Sequence, residues 1–410
     1  MQERRSNERE APKIPGGALR SLPAGIWVLG FGSMFMDISS EIIHSLLPLF
    51  MANALGASMV TIGLVEGIAE ATAAIAKVFS GILSDHLGKR KFMLVLGYAL
   101  AAFTKPIFPL ANSIGWVFAA RFLDRIGKGI RTAPRDALVA DYAPATLRGA
   151  AYGLRQSLDA VGSLLGPLFA VLLMIWLHND IRSVLWVAVI PGFITVALLM
   201  TMIKEPNKAT DNHNAEPISW RSAKQLSAGY WVIVSLGAVL TLARFSEAFL
   251  LLRGQDVGLS LTYAPVILIL MNFFYAIFAY PAGVASDRIS RRLLLFIGLG
   301  LLVTADLVLA FASSPLHVLV GASLWGLHMA FTQGLLAKLV ADIAPAQLRG
   351  TAFGIFHLIT GVALLLASLI AGAIWQWVGA SFTFLAGALF SSIAFIGLML
   401  YSLQHQLPKN

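Results

Sequence analysis

The sequence has no cysteine and few charged residues, and both shortages narrow the class of protein. Without cysteine the chain can form no disulfide, thiol nucleophile or thiolate metal site. Only 12% of its 410 residues are charged and its mean hydropathy is +0.77, which is not the composition of a soluble domain. It also lacks an H-E-x-x-H segment and a G-x-x-x-x-G-K-S/T phosphate loop. We therefore expect no enzyme, no cofactor and no metal site.

The dominant feature of the sequence is a series of twelve apolar runs, each near the length of about 20 residues that a helix needs to cross a bilayer. None of them alternates strictly between apolar and polar residues, as the strands of a membrane barrel do. We therefore predict an all-α membrane protein with twelve transmembrane helices. The predicted spans are 24–51, 59–83, 92–111, 115–142, 149–174, 183–203, 227–252, 262–284, 293–312, 316–343, 351–375 and 380–403.

The distribution of lysine and arginine predicts the orientation of these spans. With the first tail in the cytoplasm, eighteen Lys and Arg lie in cytoplasmic segments and only two, Arg182 and Arg253, lie outside. Positive charge concentrates on the cytoplasmic side, so we predict a multi-pass protein of the cell (inner) membrane with both termini in the cytoplasm. The same loop cations account for the net charge of +9 without a nucleic-acid partner. A full-length span follows the basic first tail, so we expect no cleaved signal peptide.

The two halves of the chain are related by an internal repeat. LVADYAPATLRGAAYGL at 138–154 matches LVADIAPAQLRGTAFGI at 339–355 in 12 of 17 positions, at an offset of 201. Duplicated halves separated by a polar linker are typical of transporters whose halves rock about a central site. The predicted organisation is a tail at 1–23, a six-helix half at 24–203, a linker at 204–226, a second six-helix half at 227–403 and a tail at 404–410.

Motifs in both halves resemble those of a known family. Between spans 2 and 3 the sequence is GILSDHLGKR, and the second half has a weaker copy, GVASDRISRR. Span 4 contains Arg121, with Gly127 and Gly129 after it. These segments resemble motifs of the major facilitator superfamily, and the resemblance covers nearly the whole chain. It implies the major facilitator fold, alternating access and a monomer, and a gate made by Gly81, Asp85, Arg90, Arg148 and Asp287.

A segment of span 5 bears on the direction of transport. GSLLGPLFA contains Gly162, Gly166 and Pro167, and it partly resembles the G-x-x-x-G-P-x-x-G motif of the family's proton-coupled exporters, with Ala170 in place of the last glycine. The matching segment of span 11 has no Gly-Pro pair, an asymmetry that the exporter branch shares. The resemblance implies proton antiport. Glycine for packing and proline for a bend are also common in membrane helices, so a structural explanation stays open.

The stretch RFLDRIGKGIRTAPRD at 121–136 places seven charged residues inside span 4. On a helix their side chains fall within about 140° of arc. Five cations facing lipid would cost more than about 10 kcal/mol, so the charged face must meet water or acidic partners. At the 201 offset the second half replaces six of these charges with uncharged residues, namely Ala322, Trp325, Gly326, Met329, Thr332 and Leu336. Charges needed only to build the fold should occur in both halves, so the difference favours a site.

Cations outnumber acids around spans 4 and 5, which predicts an anionic substrate such as a carboxylate, a phosphate or a metal–chelate anion. A zwitterion or an amphiphile could satisfy the same cavity. The predicted substrate-binding residues are Arg121, Arg125, Lys128, Arg131, Arg155 and Arg244.

Acidic residues on other spans are candidate partners of these cations. Asp37, Glu41 and His44 share one face of span 1, and they could carry protons, coordinate a divalent metal ion or neutralise span 4. Neighbouring cations would repel a bare metal ion. The predicted proton-coupling residues are Asp37, Glu41, Asp124, Asp159 and Glu247.

The function that these patterns predict is secondary transport driven by an ion gradient. The expected partners are a small anionic solute, protons and membrane lipid, with proton-coupled export as the favoured process. Two alternatives stay open. One is proton-coupled uptake of an anionic metabolite or siderophore, and the other is a transporter-like membrane receptor without solute flux.

Overall fold

The computed structural model of the chain describes residues 21–87, 89–144, 147–205, 225–345 and 348–404. Within these ranges, the side chains of 81–87, 284, 286–288, 291, 333–338, 341–342, 349–350 and 401–404 are not described. Most of the predicted tails and most of the predicted linker therefore lie outside the described residues.

The described residues fold into twelve helical spans. In the first half they are α1 (Ala24–Asn53), α2 (Met59–Leu87), α3 (α3a, Arg90–Thr104, and α3b, Ile107–Leu110), α4 (Ile114–Tyr142), α5 (Arg148–Trp176) and α6 (Ile181–Met202). In the second half they are α7 (α7a, Ala228–Ala243, and α7b, Ala248–Asp256), α8 (Val266–Arg288), α9 (Arg291–Ala310), α10 (Pro315–Ile343), α11 (Arg349–Trp377) and α12 (Ala380–Gln404).

All twelve predicted spans are confirmed, and their ends move by only a few residues. Ten of the described helices are long and apolar enough to cross a membrane by length and composition alone. Helix α4 is not among them, and it carries the charged stretch. The apolar pattern did not predict two interruptions, one in α3 at Lys105 and Pro106 and one in α7 at 244–247. Proline has no N–H for the helical ladder, which accounts for the first break.

The helix bounds show the internal repeat directly. Helices α4 and α10 begin 201 residues apart and end 201 residues apart, and so do α5 and α11. Helices α3 and α9 begin at the same offset. The predicted fold of two related six-helix halves is therefore confirmed.

The halves are joined at one end of the bundle and separate at the other. We call the end at which α1 begins and α12 ends the terminal end, and the opposite end the distal end. At the distal end, one apolar core runs through both halves and includes Phe50 of α1 and Phe249 of α7b. Toward the terminal end each half has its own core, with Ile26 in the first and Tyr230 in the second. A space between the halves is therefore closed on the distal side.

Polar contacts between the halves reinforce the distal closure. The side-chain amides of Asn53 and Gln255 exchange two hydrogen bonds, of 3.1 and 3.0 Å, across the interface. The Thr262 hydroxyl donates to the Asn179 side-chain oxygen nearby. If both termini are cytoplasmic, as the loop charges predict, this conformation opens toward the cytoplasm.

The two arginines predicted to lie outside the membrane both bind helix ends. Arg182 donates to the carbonyl of Ala111, after α3b, at 2.9 Å. Arg253 donates to the carbonyls of Leu309, at 3.0 Å, and Ala312, at 2.9 Å, where α9 ends. The last carbonyls of a helix lack helical donors, and these guanidinium groups supply them.

Candidate functional site: a charged central cavity

A cavity of about 570 Å³ lies in the middle of the bundle, between the two halves. Five carboxylates line it, those of Asp37, Glu41, Glu70, Asp159 and Glu247. Five cations also line it, those of Arg125, Lys128, Arg131, Arg135 and Arg244. The excess of positive charge expected around α4 and α5 is therefore absent from the lining, because the fold brings acids of α1, α2 and α7 into the same space.

Two of the charges on α4 lie behind the cavity wall, inside the first half. Arg121 is 2% exposed, and its guanidinium donates to Glu66 at 2.7 Å and contacts the His44 ring nitrogen at 2.9 Å. Asp124 is 3% exposed and accepts from the ammonium of Lys105 at 3.0 Å. Both side chains are engaged within the protein and have no face on the cavity.

Other charges on α4 are paired at the cavity wall. Arg125 lies 3.5 Å from a carboxylate oxygen of Glu70 on α2. Arg135 lies 3.6 Å from Asp159 of α5 and donates to the Ser33 hydroxyl at 2.5 Å. Because each of these guanidinium groups faces a carboxylate, its charge is largely compensated.

Three lining cations have no carboxylate partner among the described residues. Lys128 is exposed in the cavity and forms no ion pair there. Arg131 stacks on the ring of Tyr98, 4.6 Å from its centroid, and one terminal nitrogen is buried without a hydrogen-bond partner. The Nε of Arg244 is likewise buried and unpartnered. These cations are the sites where an anion could add contacts that the protein leaves unmade.

Titratable side chains of α1 and α7 lie together on the distal side of the cavity. His44 lies 4.0 Å from Glu247, and Glu41 is also part of the lining. Glu247 is the last residue of the interruption of α7, where residues 244–247 leave the helix. Backbone without helical hydrogen bonds is tolerated at membrane depth only where it is buried in protein or lines a cavity. The interruption lets Arg244 and Glu247 both reach the cavity.

The glycines of the span-5 segment hold α5 against α1 beside two lining acids. A side chain at Gly162 would come within 2.9 Å of the Asp37 Cβ, and one at Gly166 would collide with the Glu41 Cβ. Both positions therefore need glycine for this close approach, and the contact places Asp37 and Glu41 at the helix interface.

The second half contributes a mostly uncharged wall. Phe245, Trp325 and Met329 line the cavity, and the rings of Phe245 and Trp325 lie 5.5 Å apart. His328 is fully buried and bonds to the carbonyl of Gly298 at 2.8 Å, so it does not line the cavity. No group of three metal-ligating side chains that could hold a metal ion occurs in the part of the chain that the structure describes.

The gate residues predicted by resemblance are only partly described. The surroundings of Gly81 and the side chains of Asp85 and Asp287 are not described. Arg90 forms an ion pair with Asp141 of the same half, and Arg148 is exposed. The gate therefore stays a prediction.

The structure thus brings most, but not all, of the predicted site residues together. Eight of them line the cavity, namely Asp37, Glu41, Arg125, Lys128, Arg131, Asp159, Arg244 and Glu247. Arg121, Asp124 and Arg155 do not. Glu70 and Arg135 also line it, although they were not among the predicted substrate-binding or proton-coupling residues. Their signal was present, since Glu70 shares a helix face with Glu66 and Arg135 belongs to the charged stretch.

Comparison with known proteins identifies the family. The family model of the Major Facilitator Superfamily matches residues 29–271 and 233–410, nearly the whole chain. The chain belongs to the major facilitator superfamily. An uncharacterized MFS-type transporter of Methanocaldococcus jannaschii is 33% identical over 390 residues, which cover 93% of this chain and 95% of that protein. The inner membrane transport protein YajR of Escherichia coli is 25% identical over 356 residues, covering 82% of this chain and 74% of YajR.

Solved structures agree with the fold of this superfamily member. A POT family transporter in complex with a conjugated peptide superposes with a TM-score of 0.78 at 12% identity, over 94% of this chain and 98% of that chain. The nucleoside transporter NupG superposes with a TM-score of 0.75 at 14% identity, over 92% of this chain and 99% of the NupG chain. The family model and the relative of 33% identity confirm the predicted superfamily, and the protein is a multi-pass membrane protein of a secondary-transporter family.

Proposed function

We propose that this member of the major facilitator superfamily is a proton-coupled secondary transporter that exports a small organic anion. The observation that carries the proposal is the contrast among the cations of the cavity. Arg125 and Arg135 face carboxylates, whereas Lys128, Arg131 and Arg244 have none among the described residues. An anion bound between these three would make charge-assisted hydrogen bonds worth about 1.5–3 kcal/mol each. The uncharged wall would meet the rest of the solute.

Proton coupling is supported by the lining acids. Asp37 and Glu41 form no ion pair among the described residues, and Glu247 approaches only His44. When ionised, these carboxylates offset the unpaired cations and oppose anion binding. When protonated, they no longer do. Proton binding and anion binding are therefore linked, and by thermodynamic reciprocity each changes the affinity for the other.

Export is supported by α5 and by one relative. The exporter-like segment of α5 packs its glycines on α1 beside Asp37 and Glu41. The multi-drug resistance efflux pump PmrA of Streptococcus pneumoniae is 26% identical over 313 residues. The "Probable 4-methylmuconolactone transporter" of Cupriavidus pinatubonensis, 25% identical over 312 residues, supports a small organic solute. We propose that the protein is a monomer of the inner membrane, as the family resemblance implies, with both termini in the cytoplasm, as the loop cations favour.

Uptake is the second candidate, and the charge balance of the cavity favours it. If protonation of Glu41 or Glu247 frees the cations, a proton and an anion bind together, which is the behaviour of a symporter. With protons flowing inward, a symporter accumulates its anion in the cell. The two candidates thus differ in the direction in which the anion moves.

A comparison of metabolite pools tests the proposal. Anions are measured inside cells and in the medium, with the wild-type protein, without it, and with Lys128→Ala. An anion that accumulates inside when the protein is absent or carries Lys128→Ala means export. An anion that stays in the medium when the protein is absent or carries Lys128→Ala means uptake, which contradicts the export proposal. If no anion changes in either pool, anion transport itself is wrong.

Cross-linking the distal end should stop transport. The chain has no cysteine, so Asn53→Cys with Gln255→Cys gives the only reactive pair, at an amide contact between the halves. A short bifunctional thiol reagent is expected to remove nearly all counterflow of the identified anion in liposomes, because the distal end can no longer open. Ser58→Cys with Thr61→Cys, a contact within one half, should leave counterflow unchanged. Full flux after complete cross-linking would contradict alternating access, and no counterflow in the wild type would favour a receptor.

A further inference from the structure

Asp306 of α9 is a buried acid that the central cavity does not use. Its side chain is fully buried, and it does not line the cavity. Neither carboxyl oxygen has a hydrogen-bond partner among the residues that the structure describes. A polar group without a partner in a buried site is costly, and an isolated charge is far more so.

The carboxyl group of Asp306 lies against α12. A Cβ at Gly387 would be 2.8 Å from one of its oxygens, so the glycine makes room for the acid. The Ser391 hydroxyl, one turn further along α12, faces the same carboxyl and, like the two carboxyl oxygens, forms no hydrogen bond of good geometry among the described residues. Helix α12 carries no charged residue. Two unpartnered polar groups of neighbouring helices therefore share one buried site.

The arginine of α7b and the histidines of α10 are engaged elsewhere. Arg253 donates to carbonyls at the end of α9 and pairs with Asp256. On α10, His317 is exposed and contacts the Ser314 hydroxyl. His328 is hydrogen-bonded to the carbonyl of Gly298, which lies about two helical turns before Asp306 on α9. The side chains of Lys338 and Asp342 on α10 lie outside the described residues. No described cation neutralises Asp306.

The first half has an ionisable group at the equivalent position. Helices α3 and α9 begin 201 residues apart, and the same offset relates Asp306 to Lys105. Lys105 is also buried, but its ammonium donates to Asp124 at 3.0 Å and to the Ser40 hydroxyl at 2.9 Å. Asp124 corresponds to Trp325 in the second half. The repeat therefore preserves the place of an ionisable group, and among the described residues a counter-charge is present only in the first half.

We propose that Asp306 and Ser391 form a proton-binding site in the second half, separate from the central cavity. A bound proton makes the acid neutral and provides an O–H that can donate to Ser391, so both unpartnered groups are satisfied. Divalent metal ions such as calcium and magnesium take about six or more oxygens, and this site offers the two oxygens of Asp306 and one hydroxyl. Release of the proton requires water to reach the acid, which requires α9 and α12 to separate.

Infrared difference spectroscopy of the full-length protein in lipid tests this site. The spectrum of wild type minus Asp306→Asn at neutral pH isolates the acid, because asparagine keeps the shape and neutrality of a protonated aspartic acid. We expect the C=O band of a protonated carboxylic acid in the wild type and its loss in Asp306→Asn. Ser391→Ala should keep the band and displace it, since the hydrogen bond to the serine is removed.

The outcomes separate the proposal from its rivals. An unchanged carboxylic-acid region in a folded Asp306→Asn variant would overturn it. Stabilisation of the wild type by sodium ions, abolished in Asp306→Asn, would assign the site to a metal cation and overturn it as well. If Asp306→Asn does not fold, Ser391→Ala decides, because an undisplaced band would show that the site is not the one described.

Discussion

Replacing Lys128 with alanine is expected to lower transport of the anion about 10- to 100-fold, the loss that follows from about 1.5–3 kcal/mol per charge-assisted contact. Folding should be unaffected. Lys128 is exposed inside the cavity and binds no carboxylate in the described part of the chain, so its removal leaves no buried charge unpaired. The measurement is uptake or counterflow of the anion in liposomes, with thermal unfolding of the same preparation.

Lys77→Ala is the matched control for this experiment. Lys77 is another exposed lysine within a membrane span, on α2, and it does not line the cavity. Its replacement should leave transport near the wild-type rate. Equal losses in Lys128→Ala and Lys77→Ala would refute a specific role for the cavity lysine. Arg131 is a less clear test, because its guanidinium also packs on the ring of Tyr98.

Breaking the buried pair of Arg121 and Glu66 is expected to destabilise the protein by about 3–5 kcal/mol, the usual cost of leaving one buried charge alone. Both residues are almost fully buried, and their side chains lie 2.7 Å apart. Arg121→Met and Glu66→Met should each lower the thermal unfolding temperature and the yield of inserted protein. The double variant should recover most of the loss, because it removes both charges and replaces them with apolar side chains.

The same double variant separates two roles for Arg121. The sequence predicts that Arg121 binds substrate, whereas its contacts are with Glu66 and His44 inside the first half. If it acts only within the fold, the double variant should transport the anion at most of the wild-type rate. A stable double variant without transport would instead support the predicted binding role. The coupling energy from the four proteins of this cycle measures the pair itself.

The sequence was a good guide to what depends on local composition. Most of the membrane spans are apolar runs of their own, and the predicted ends of all twelve lie within a few residues of the helix ends. The repeat at an offset of 201 was visible as identical residues in the sequence, and the helix bounds show the same offset. The charged face of α4 was also predictable, because helical periodicity alone decides which side chains share a face.

The sequence could not show which charges meet. Arg121, Lys128 and Arg131 look alike on one helix face, yet Arg121 is buried against Glu66 and Lys128 is exposed in the cavity. The difference depends on how α2 and α3 pack on α4, and no spacing within α4 contains that information. The apparent positive excess around α4 and α5 disappeared for the same reason, since the compensating acids come from α1, α2 and α7.

What the sequence determined by itself is therefore the membrane-spanning class, the number of spans, the two related halves and the helix face that carries charge, because each follows from the order of residues along one segment. Only the tertiary structure decided which cavity cations have no carboxylate partner among the described residues and where α7 is interrupted to bring Glu247 to His44. It also decided that Asp306 is enclosed with no counter-charge in the described part of the chain. These features arise from contacts between helices far apart in the chain, where distance and burial, rather than residue type, set the electrostatic energy.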